Sequence, residues 1–107
     1  MSDPSKMHLG GRIFRVKVVK RGSLARDEEG ACDFGRGAIT VKRGSGSAMT
    51  DTLIHEALHA CLGMSGYAMT EHAEESVVVA LTPWVHALIV QNPVLISEII
   101  AGTCFDG

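Results

Sequence analysis

The stretch His55-Glu56-Ala57-Leu58-His59 constrains this chain more than any other. It lies in a largely apolar run, with Thr52-Leu53-Ile54 before it and Ala60-Cys61-Leu62 after it. The run is helix-compatible, and a helix places residues four apart on one side, one turn from each other. Two imidazoles so placed reach a single metal ion. A glutamate between them is the usual general base of a zinc hydrolase. Three polar groups at the centre of a core helix are costly unless paired or metal-bound. The competing reading is a core helix whose two histidines are hydrogen-bonded and whose motif is accidental.

The remaining elements follow from local pattern. Residues 1–11, with Pro4 and the Gly10-Gly11 pair, read as a flexible lead-in. From Arg12 to Lys20 apolar and charged residues alternate. Phe14, Val16 and Val18 share one face, and Arg15 and Lys17 the other, which predicts a half-buried strand with solubilising cations outside. Gly22 to Gly37 reads as a polar, glycine-rich loop. Its Asp27-Glu28-Glu29 cluster is expected in solvent, a carboxylate metal site there being the lesser reading. Ala38-Ile39-Thr40-Val41-Lys42 is a second strand candidate, followed by a flexible Gly44-Ser45-Gly46-Ser47 link. That link lacks the lysine of a phosphate-binding loop.

Thr50 or Asp51 is expected to cap the motif helix, with a stop at Gly63. A long helix should run from about Thr70 to Gln91, with acidic residues in its first turn and Pro83 inside it. Asn92-Pro93 ends it, and Val94 to Ala101 forms a short apolar helix. With 107 residues there is room for one modest core. The expected fold is α+β. A small antiparallel or mixed sheet of two to three strands packs on the motif helix and the second long helix. A single domain spans 12–101, with a loose tail at 102–107.

A catalytic zinc needs a third protein ligand. Downstream candidates are Glu71, His72, Glu74 and Glu75. At about 100° per residue, Ala73, Val77, Val78, Leu81, Trp84, Val85 and Leu88 form one apolar stripe. Glu74 lies within it, Glu75 falls toward Thr82 and His86, and His72 is opposite. If that stripe faces the core, Glu74 is the buried carboxylate in need of a partner. The preference is therefore Glu74, then Glu75, then His72.

A net charge of -2 gives no reason to expect nucleic acid or an anionic membrane as partner. The chain shows no apolar run of the roughly 20 residues a spanning helix needs. Its first residues lack the apolar middle of a secretion signal, so a cytoplasmic location is expected. Cys32, Cys61 and Cys104 are odd in number and widely spaced, and read as reduced thiols. Cys61 points away from the histidines and is a poor ligand.

With these residues in place, the stretch from Ile39 to Pro93 resembles the zincin metallopeptidases. It is most similar to small gluzincin-type proteins of phages and bacteria. The resemblance rests on the order strand, glycine-rich link, His55-Glu56-Ala57-Leu58-His59 helix, loop, then a helix opening Glu71-His72-Ala73-Glu74-Glu75. It implies zinc on His55 and His59, water activation by Glu56, a protein or peptide substrate, and a substrate cleft lined by Ile39 to Val41. The extended metzincin motif is absent, and a SprT-like site would need His72 in place of Glu74. Tyr67 and His86 are candidates for stabilising an oxyanion. Two rival classes stand beside the peptidase: a zinc-stabilised binding or regulatory module without turnover, and a metal-free helical adaptor.

Overall fold

Period-two patterning sets the first layer. Along Arg12–Val19 (β2), Phe14 is fully buried while Arg15 and Lys17 face solvent. In the computed structural model, which describes residues 5–20, 22 and 28–102, β2 has a partner on each side. Ser5–Leu9 (β1) runs antiparallel to it, with Met7 opposite Phe14. Ala38–Lys42, the last strand in the chain (β4), runs parallel to it, with Val16 opposite Ile39. Gly30–Asp33 (β3) pairs antiparallel with β4 and forms the sheet edge. The result is a mixed sheet of four strands in the order β1-β2-β4-β3, one more than the two to three expected.

Two stretches expected to be irregular are strands. The lead-in is ordered from Ser5 onward, while Met1 to Pro4 lie outside the described residues. Gly10 and Gly11 have φ of 56° and 81° and close a tight β1–β2 hairpin. Two consecutive positive φ values suit a mirror-type two-residue turn, which glycine adopts at little cost. Met7 and Leu9 then pack against the core, while Lys6 and His8 point outward. Within the glycine-rich segment, Cys32 pairs with Ile39 across β3–β4 and joins the core edge.

Three helices follow. Gly46–Ser65 (α1) is capped by Ser45, whose hydroxyl accepts the Ala48 N–H at 3.1 Å. Thr50 is not the cap: its hydroxyl donates to the Gly46 carbonyl at 2.7 Å inside the first turn. The helix therefore starts earlier than expected and absorbs half of the glycine-serine link. It also runs past Gly63 and stops at Gly66, whose φ is 70°. Glu71–Gln91 (α2) is capped by Thr70, which accepts the Ala73 N–H at 3.1 Å. Pro93–Ala101 (α3) starts on proline and ends at Gly102. The expected tail beyond Gly102, with Cys104, lies outside the described residues.

α1 covers the inner sheet face, where Phe14, Ile39, Val41 and Ala60 form the core with Met49 and Leu53 packed against it. The Arg12 guanidinium stacks on the rings of Phe14 and Phe34, 4.7 and 4.4 Å from their centroids. α2 lies on α1, and α3 packs on α2. The layers are sheet, α1, then α2. α2 buries Val78 and Thr82, and at 21 residues it is long and apolar enough to cross a bilayer. That departs from the expectation of no such run, because Thr82, Pro83 and His86 interrupt the pattern without adding charge.

Candidate metal centre

The site forms where α1 is pressed between the sheet edge and α2. Close approach on the sheet side depends on Gly30. A Cβ there would come within 2.5 Å of Thr52 Cγ2, 2.8 Å of the Thr40 carbonyl oxygen and 3.3 Å of Glu56 Cγ. Gly63 plays the same part further along α1, where a Cβ would meet the Phe34 ring at 3.0 Å. With these contacts set, α1 presents His55 and His59 toward α2 and holds Glu56 on the sheet side beside Gly30.

His55 and His59 stack edge to face, with ring centroids 5.1 Å apart. Their Nε2 atoms converge on one carboxylate, that of Glu75. Glu75 Oε1 is 3.1 Å from His55 Nε2, and Oε2 is 2.9 Å from His59 Nε2. Ligand atoms of His55, His59 and Glu75 all lie within 4.8 Å of one another, so this group could hold a metal ion. Two imidazole nitrogens and a carboxylate oxygen are a donor set that suits zinc, leaving a position for water.

Glu74 takes a different role from the one expected. Its Oε2 lies 2.7 Å from Nδ1 of His59, on the far side of the ring from Glu75. A carboxylate there holds the proton on Nδ1 and aims Nε2 at the metal position. The donor atoms that cluster closely enough to hold a metal include Glu75 and not the expected Glu74, and the orientation of α2 brings both carboxylates onto His59. The stripe expected to face the core is exposed at Leu81, Trp84 and Leu88. From that stripe α2 buries only Val78, together with Thr82 outside it, so the inward face is turned partway toward Glu75. His72 is exposed and takes no part.

Electrostatics follow from this packing. Glu56 is only 8 % exposed. Burial pushes its carboxyl above the usual range, and the neighbouring His55 and His59 pull it back only partly. Burial lowers the pKa of His59, but its hydrogen bonds to Glu74 and Glu75 outweigh that and the net shift is upward. Burial, then the negative charges of Glu56 and Asp33, push the Cys32 thiol up to about 11. At neutral pH this keeps the thiol protonated.

Two clefts reach these groups. One of about 450 Å³ is lined by Glu28, Glu29, Gly30, Asp51, Thr52, His55, Glu56, His59 and Glu75. The other, about 320 Å³, is lined by Cys32, Phe34, Glu56, His59, Gly63 and Glu74. Glu56 and His59 border both. The cleft strand is therefore β3, through Gly30 and Cys32. Ile39 and Val41, expected there, are buried one strand further in. Glu28 and Glu29, expected as part of a solvated loop, are exposed but border the larger cleft. Glu29 pairs with Lys42 at 3.2 Å, while Asp27 is outside the described residues. Tyr67 is 74 % exposed and lines neither cleft. His86 bonds Asp51 at 3.1 Å, tying α2 to α1.

The spacing brought His55, Glu56 and His59 together as expected. Glu75 was within reach of sequence reasoning only through the rotation of α2. Thr82, a polar residue one turn beyond Val78, was the one sign that this face turns inward. No protein-family model, curated protein or solved structure matches the chain.

Proposed function

We propose that the chain is a small zinc-dependent peptidase, with His55, His59 and Glu75 as the protein ligands and Glu56 as the general base. The observation that carries this reading is the convergence of both Nε2 atoms on the Glu75 carboxylate beside a buried Glu56. A zinc ion at these donors supplies a Lewis acid for the scissile carbonyl and lowers the pKa of its water to about 7.

The chain's own residues do the rest. Glu56 accepts a proton from the attacking water at its carboxylate and passes it to the leaving amine. Its raised pKa suits a group that must both take and return a proton. Glu74 keeps the proton of His59 on Nδ1, so that Nε2 stays a lone-pair donor. β3 is the terminal strand of the sheet and contributes Gly30 and Cys32 to the clefts. An extended peptide laid along that edge would add a strand to it and pass the site.

A zinc-stabilised module without turnover is the second reading. It is favoured by the small apolar contact of α2, which buries only Val78 and Thr82 and is otherwise tied to α1 by polar pairs at the site. One variant separates the two. Glu56→Gln should retain one zinc per chain by elemental analysis. It should lose peptide hydrolysis by at least about 100-fold, the usual contribution of a positioned acid–base group. If wild-type protein with full zinc cleaves a broad peptide library no faster than Glu56→Gln, the module reading stands. If neither protein retains zinc, both readings fail.

A further inference from the structure

α2 carries two apolar faces, and the fold uses one. Val78 and Thr82 are buried against α1. The second face, Leu81, Trp84 and Leu88, repeats at three and four residues and lies in solvent, with Trp84 75 % exposed. α3 extends this surface: none of its residues is buried, and Ile100 is 80 % exposed. Ten large apolar side chains between Val79 and Ile100 are exposed. Those on the Leu81–Trp84–Leu88 face and on α3 present on the order of 800 Å², beyond the roughly 300–600 Å² of the largest patch on a typical monomer. The same figure meets the roughly 800 Å² per partner of a stable interface.

Charge narrows the occupant. All ten Lys and Arg residues lie at or before Arg43. From Ser76 to Gly102 the only acidic or basic residue apart from His86 is Glu98. A surface that docks on an anionic bilayer needs a cationic rim, and here there is none. Full insertion of α2 is also opposed, because Glu74 and Glu75 at its first turns are bound to His55 and His59 of α1. The Leu81–Trp84–Leu88 stripe carries no charge and meets its own copy without like-charge contact. A two-fold axis would bury the same stripe from both sides in a closed, isologous pair.

We propose that the exposed faces of α2 and α3 are the interface of a homodimer, with Trp84 as the central anchor. Two α2–α3 units together make a four-helix layer, and the metal centre at the other end of α2 stays open. Exposed aromatic anchors of this kind dominate interface energetics when they become buried.

The chain at 11.4 kDa should sediment at twice that mass at tens of micromolar. Trp84 is the only tryptophan. Its emission should be blue-shifted in the dimer and move to the red on dilution. The double variant W84E/L88E, made at exposed positions, should sediment at the monomer mass with unchanged zinc content. A wild type that is monomeric at sub-millimolar concentration overturns the proposal, as does a W84E/L88E protein that still dimerises. Blue-shifted Trp84 emission that requires phosphatidylcholine vesicles, with no dimer in their absence, also overturns it and assigns the surface to lipid.

Discussion

Removing the Glu74 carboxylate tests the division of labour between the two adjacent glutamates. Glu74 touches the ring of His59 only at Nδ1, at 2.7 Å, and both side chains are largely shielded from solvent. Such a carboxylate fixes tautomer and ring orientation, and its loss costs about 10–100-fold in metal affinity. That corresponds to about 1.4–2.7 kcal/mol. Glu75 meets both Nε2 atoms through its two oxygens, so Glu75→Ala removes a ligand outright and must cost more. Competition with a chromophoric zinc chelator gives both affinities on one scale. Expected is wild type tightest, Glu74→Ala weaker by one to two decades, and Glu75→Ala weakest. Equal losses, or a larger loss for Glu74→Ala, would refute the assignment of roles.

Further outcomes follow from packing and charge. Gly30→Ala should destabilise the protein by about 1–3 kcal/mol in urea titration, because the new methyl group meets Thr52 and the Thr40 carbonyl. In metal-free protein the raised pKa of Glu56 means that the folded state holds its proton more tightly than the unfolded chain. Stability should therefore fall as pH rises from the unfolded carboxylate value through the raised one, and Glu56→Gln should flatten that slope in thermal melts. His59 has the same sign of shift but starts higher. Its stabilising pairs are intact below pH 6.5 and lost as pH rises through its raised value, so Glu74→Gln should weaken apo stability most below that window. Cys32, pushed up to about 11, should alkylate on the order of a hundredfold more slowly than an ordinary thiol at pH 8 when followed by peptide mass mapping.

How much of this was legible in the sequence depends on the range over which each feature is decided. The motif helix was readable because its three polar residues and their apolar neighbours lie within a few turns. Thr70 was readable as a cap because its bond to Ala73 is local. Ser45 was obscured because glycines flank it and Thr50 and Asp51, five and six positions further on, offer equally good caps. β1 has only two inward residues, Met7 and Leu9, too short an alternation to stand out, although Gly10-Gly11 is a hairpin signal. β3 contains no β-branched residue and exists through its pairing with β4. The third ligand turned on a choice between two apolar faces of α2. That choice is made by packing on α1, of which Thr82 is the one local sign, and it brings Glu75 into the cluster that could hold a metal and leaves Trp84 in solvent.

The proposed function stands on a metal held by His55, His59 and Glu75. Anomalous diffraction at the zinc edge on zinc-loaded crystals tests it most directly. One strong peak is expected, with His55 Nε2 and His59 Nε2 at about 2.0–2.1 Å and a Glu75 oxygen at about 2.0–2.2 Å. Glu74 should remain on Nδ1 of His59. A peak ligated by Glu74 or Cys32 in place of Glu75, or no peak between α1 and α2, would contradict it.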